Sequence, residues 1–114
     1  MKTELPIILL FFLLNFCTTF RAEAEVSVAV RGAVGCGQWI EERKSGGWPK
    51  TINESLVTGY LSGLAMGIKK DTLDEVPNQS IFLWIDNYCL KNPLNDIYDA
   101  SNRLTNELER KKKL

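Results

Sequence analysis

The 114-residue sequence contains no histidine. That removes a Ser-His or Cys-His catalytic pair and any imidazole-liganded metal. An excess of one charge is also missing, because 14 lysines and arginines meet 14 aspartates and glutamates. A neutral chain lacks the basic face that nucleic acid requires, and it has little hold on an anionic membrane surface. Cysteine is scarce, at three residues, and no two are spaced C-x-x-C, which argues against a thioredoxin-like redox site. No Ser-x-x-Lys pair occurs, and no glycine-rich phosphate loop follows a strand. Gly59-Tyr60-Leu61-Ser62-Gly63 sets its serine one place too late for a nucleophile elbow, and inside a helical pattern. With neither a catalytic constellation nor a cofactor motif, the chain reads as a non-enzyme that carries no cofactor and no metal.

What is present begins with an export signal. Lys2 precedes an almost purely apolar run, Leu5 to Leu14, which is short for a membrane span and suits a secretory h-region. Ala22-Glu23-Ala24 supplies small residues where signal peptidase reads, so cleavage is expected after Ala24. Cys17 raises a lipoprotein alternative, against which Phe16 is too bulky for the position before it. The exported chain of about 90 residues is neutral, with no span, and can build only a small core. Two cysteines remain in it, Cys36 and Cys89, and an even pair in an exported chain reads as one disulfide. Sequence leaves open whether that bond lies within one chain or between two.

The exported part starts with an extended arm over residues 25–35. Val26, Val28 and Val30 alternate with Ser27, Ala29 and Arg31. A first helix is expected over 36–44, with Trp39 and Ile40 inward and Glu41, Glu42, Arg43 and Lys44 solvated. Ser45-Gly46-Gly47-Trp48-Pro49 reads as a breaker. Asn53 is the expected N-cap of a second helix running to about Lys70, whose apolar face is Leu56, Val57, Tyr60, Leu61, Leu64 and Ile68. Gly59, Gly63 and Gly67 recur every four residues along it. Each costs about 1 kcal/mol against alanine in a helix, so close approach of another helix backbone is expected there, inside the domain or between subunits.

The connection from Lys70 to Asn78 is acid-rich. Asp71, Asp74 and Glu75 fit no calcium-loop spacing and read as solvated charges. A third helix, capped by Asn78 or Ser80, carries the stripe Ile81, Trp84, Ile85, Tyr88 and Cys89. Leu83 and Leu90 lie on its other side, so this helix is either central or has a partner. Asn92-Pro93 is expected to open a fourth helix with Leu94, Ile97, Ser101, Leu104 and Leu108 inward. Asp96 and Asp99 suit its positive end, and Lys111 to Lys113 its negative end. The fold class is therefore all-α, a small four-helix bundle with one disulfide behind a cleaved signal peptide. The domain division is 1–24, 25–35 and 36–114.

The order of these blocks resembles the Rap/Tai immunity proteins of type VI secretion. The blocks are Cys36-Gly37-x-Trp39, Gly59-Tyr60-Leu61-Ser62-Gly63, Trp84-Ile85-Asp86-Asn87-Tyr88-Cys89, Asn92-Pro93-Leu94 and Asp99-Ala100. The resemblance implies a periplasmic, helical, disulfide-containing protein, often a homodimer. Such proteins bind and block secreted peptidoglycan amidases or endopeptidases arriving from sister cells. It makes Cys36 and Cys89 the family's cysteines, and Trp39, Gly59, Tyr60, Gly63, Trp84, Asp86, Tyr88 and Pro93 framework positions. Contact residues do not transfer by motif. Leu83 and Leu90, or Asp71, Asp74 and Glu75, are the candidates for presentation to the effector. The alternative is an HdeA-like periplasmic acid-stress chaperone, another small exported helical protein with one disulfide. Its clients would bind as twelve exported carboxylates lose charge in acid.

Overall fold

A computed structural model describes residues 28–32 and 34–114. The expected signal peptide and its cleavage point lie outside these residues, as does the start of the arm. The described residues form four helices: α1 (Cys36–Ser45), α2 (Gly47–Ile68), α3 (Asn78–Lys91) and α4 (Ile97–Lys112). They close into a ring in which α1 packs on α2 and α3, and α4 packs on the same two helices from the other side. Among the described residues there is no strand. One isolated antiparallel bridge joins Gly35 to Asp96. It pins the end of the arm to the start of α4 through Cys36 N–H to Asn95 O (2.8 Å) and Ile97 N–H to Val34 O (3.1 Å).

The core follows the apolar stripes. Trp39, Val57, Leu61, Ile85 and Ile97 are fully buried, with Ile81, Phe82, Ala100 and Leu104 around them. Removing the Leu61 side chain from this cluster costs about 2–5 kcal/mol, since the lost transfer energy adds to a cavity. Cys36 and Cys89 are bonded within the chain, their Cα atoms 4.8 Å apart. The bond ties the first residue of α1 to the last turn of α3.

Three expectations are corrected, two about helix boundaries and one about packing. Only Gly46 separates α1 from α2, and α2 starts at Gly47. Pro49 falls in the first helical turn, where backbone N–H groups have no intrahelical acceptor, so the ring removes no bond. Asn53 is therefore not a cap. It is buried more than a turn inside α2, and its amide donates to the Glu42 carboxylate.

The fourth helix does not open at Asn92-Pro93. Asn92 turns back and caps the end of α3, its backbone and side-chain N–H groups both reaching Tyr88 O at 2.9 Å. Asp96 instead caps α4, accepting from the N–H groups of Tyr98 (2.8 Å) and Asp99 (2.9 Å), while Asp99 accepts from Asp96 N–H (3.3 Å). This reciprocal box satisfies several orphan donors at once. It leaves Leu94 in the turn, 98% exposed rather than inward.

The glycine ridge is the third correction. Among the described residues a Cβ added at Gly59, Gly63 or Gly67 meets nothing within 4 Å, so none of the other three described helices approaches there. The ridge belongs to the outer face of α2, where Trp48 is 75% and Met66 79% exposed. Trp48, Ile52, Ser55, Gly59, Ser62, Gly63 and Met66 succeed one another along about 27 Å without a charged side chain.

Candidate partner-binding surface

The α1–α3 face is organised by one arginine. Trp39 points into the core, and four residues on, over the same side of α1, stands Arg43. Its guanidinium carbon lies 5.6 Å from the ring centres of both Trp39 and Phe82, a cation–π position. Nε and Nη2 donate to Asp86 on α3 (2.9 and 2.8 Å), and Nη1 donates to Glu54 on α2 (2.5 Å). Asp86 also accepts the indole N–H of Trp39 at 2.7 Å. The hydrogen bond to Asp86 leads the raising of the Arg43 pKa against the opposing effect of burial, so the group stays charged. Three helices thus meet on one half-buried guanidinium. Arg43 is not the solvated residue expected of it. Its spacing from Trp39 is the sequence signal that reveals it.

Beside this clamp lies a cavity of about 310 Å³ lined by Ile40, Arg43, Lys44, Lys50, Asp86 and Leu90. Leu90 is 65% exposed, and Leu83, two turns earlier on the same side of α3, is 59% exposed. The two leucines therefore stand on solvent, outside the core. They are held by a helix clamped to α1 by the disulfide and by Arg43.

The framework positions divide into several neighbourhoods. Trp39 and Asp86 meet at the arginine. Trp84 and Tyr88 stack at 5.7 Å on the opposite flank of α3, where the Trp84 indole donates to Glu107 (3.2 Å) and Tyr88 Oη accepts from Asn95 (2.6 Å). A polar cavity of about 500 Å³ adjoins them, with Arg103 and Arg110 on its rim. Lys111, hydrogen-bonded to Glu107, holds that carboxyl below its ordinary range against partial burial. Tyr60 packs on Tyr98 with ring centres 4.5 Å apart and donates to Asn102 (3.1 Å). Gly59 and Gly63 lie on the open face of α2, and Pro93 is exposed in the turn before α4.

The acidic loop is a separate place. Asp71, Asp74 and Glu75 are exposed, and Glu75 adopts a left-handed backbone (φ 57°). The Lys112 ammonium donates to the backbone carbonyls of Asp71 (3.4 Å) and Asp74. Among the described residues no group of three or more acidic or cysteine side chains is placed to hold a metal, and no hydrogen bond or ion pair joins these carboxylates to the leucine face. No described helix is long and apolar enough to cross a membrane.

Comparison with protein families, curated proteins and solved structures finds no match to this chain.

Proposed function

We propose that this is a periplasmic immunity protein that binds and inhibits a type VI secreted peptidoglycan hydrolase, an amidase or endopeptidase. The observation that carries the reading is the α1–α3 face. Two exposed leucines, Leu83 and Leu90, stand on a helix fixed by a disulfide and by the Arg43–Asp86 pair. An inhibitor needs such a preorganised surface, because ordering a loose one on binding costs affinity. It needs no catalytic group of its own. The Rap/Tai resemblance supplies the partner class and a homodimer. The uncharged outer face of α2 is the seam available for that second copy.

The test is capture from periplasmic extract on the oxidised protein, at neutral pH and again near pH 3, followed by hydrolysis assays on the captured enzyme. One stoichiometric cell-wall hydrolase, inhibited at neutral pH, supports immunity. Leu83→Asp then weakens capture without lowering the melting temperature, and Asp74→Lys does the same if the acidic loop also touches the effector. Many weak clients appearing only in acid sink the reading in favour of an HdeA-like chaperone. One observation favours that second reading. Lys111 holds the Glu107 carboxyl below its ordinary range, so the stability that this pair contributes is lost as pH falls through the folded value.

A further inference from the structure

The cavity at the arginine clamp also carries information about what would enter it. Its apolar walls are Ile40 and Leu90, and its charged groups are Arg43, Lys44, Lys50 and a single carboxylate, Asp86. Asp86 is already committed, accepting from both Trp39 and Arg43. Lys50 approaches Glu54 only at 3.8 Å, and Lys44 makes no ion pair among the described residues. With Glu54 also bonded to Arg43, three cations stand against two carboxylates, and the one net positive charge lies toward Lys44 and Lys50. Arg43 itself is not exhausted. A guanidinium has five N–H donors, and the bonds to Asp86 and Glu54 engage Nε, Nη1 and Nη2 once each, leaving two. Its orientation is fixed from both sides, so a carboxylate arriving there meets donors that need no further ordering.

Resting on the reading as an inhibitor of a secreted enzyme, we infer that this cavity receives an acidic–apolar segment of the partner. A large apolar side chain enters between Ile40 and Leu90, and flanking carboxylates meet Lys44, Lys50 and the uncommitted N–H groups of Arg43. The geometry favours this class over a basic or purely apolar segment. A basic one would face Lys44 and Lys50, and a purely apolar one would leave those two lysines desolvated without partners. A second apolar cavity, about 350 Å³ along Trp48, Thr51, Ile52, Ser55 and Leu56, is lined by no charged residue among those described and selects no such chemistry.

The test uses a displayed library of random twelve-residue peptides, panned on the oxidised protein at neutral pH and low salt. Winners are then titrated as free peptides, with poly-glutamate as the charge-only control. The inference expects winners with a large apolar residue flanked by aspartate or glutamate. Affinity should fall at least tenfold in Leu90→Asp and in the double variant Lys44→Glu/Lys50→Glu, and should weaken as salt rises. These positions are exposed or half-exposed, and unchanged melting curves verify that the variants fold. No enrichment, winners without acidic bias, binding that ignores both variants, or poly-glutamate binding as tightly as the winners each overturns it.

The same variants separate this inference from the function on which it rests. If a captured hydrolase is inhibited equally by the protein and by Leu90→Asp, immunity stands and the cavity is not its contact. If peptides bind as expected but no hydrolase is inhibited, the site chemistry stands and the immunity reading falls.

Discussion

The indole N–H of Trp39 donates to the Asp86 carboxylate at 2.7 Å, joining residues 47 apart in sequence. The same carboxylate holds Arg43, so a single side chain on α3 satisfies two donors on α1. Asp86→Ala leaves the indole and the guanidinium without that acceptor. The expected cost is about 1–3 kcal/mol. Arg43→Met on its own frees Asp86 but leaves it hydrogen-bonded to Trp39. Urea denaturation of the two single variants and the double variant measures the coupling, and strictly additive losses would show that the clamp is not a unit.

Reduction is expected to be costly. The bond closes a sequence separation of 53 residues, for which the chain-entropy relation gives about 4 kcal/mol. For a domain this small that is a large share of total stability. The urea midpoint should fall steeply in reductant, while a Cys36→Ser/Cys89→Ser variant should show no further response to it.

Gly63→Ala should stabilise the isolated protein. The added methyl enters open space, and alanine gains about 1 kcal/mol over glycine inside a helix. If α2 is the seam of a homodimer, the same change weakens the dimer. Melting temperature at low concentration and sedimentation velocity across concentrations read the two effects separately.

Thr72 is fully buried, and its hydroxyl has no hydrogen-bond partner among the described residues. Thr72→Val keeps the shape and removes the orphan oxygen. The expected gain is about 1 kcal/mol, seen as a rise of several degrees in melting temperature. A loss of similar size would show that the hydroxyl is satisfied in solution.

Alkaline pH should loosen the arm. Burial pushes the Tyr98 phenol above its ordinary value of 10.0, with Tyr60 and Asp96 adding to the shift. The neutral form is therefore favoured in the folded chain. Its contribution is fully present below pH 10 and is lost as pH rises from there through the folded value. The phenol donates to Arg31 O at 2.6 Å, so its ionisation also releases the arm. The stability difference between the protein and Tyr98→Phe should shrink above pH 10. A constant difference would contradict this.

The helical class, the pairing partners and most of the inward stripes were legible because a 3.6-residue period and an even cysteine count are local properties of the chain. What was not legible depended on competition between signals. Asn92-Pro93 and Asp96–Asp99 both announce a helix start. The second prevails because it satisfies donors reciprocally, while Asn92 is better used closing α3. Gly47 and Pro49 look like breakers, yet a first turn tolerates both. The candidate surface was half visible. Leu83 and Leu90 sat on the other side of α3 from its stripe, which left that helix either central or partnered, and their exposure decides against a central place. Arg43 was hidden among three other charged residues, and only its register with Trp39 distinguished it. The glycines were misleading in the opposite sense, since their spacing suggests a neighbour that this domain does not supply.

The junction at Gly46 has a stereochemical consequence. With φ 70° and ψ −157°, that residue occupies a region essentially closed to L-amino acids. Reflected through a mirror, the same angles fall close to polyproline II, an ordinary conformation. Gly47 follows with φ 73°, so the turn between α1 and α2 takes two successive steps at positive φ before the right-handed helix resumes. A saturation library at position 46 should return glycine alone. A semisynthetic chain carrying D-alanine there should fold, and should gain about 0.4–1 kcal/mol by losing the freedom that glycine has when unfolded.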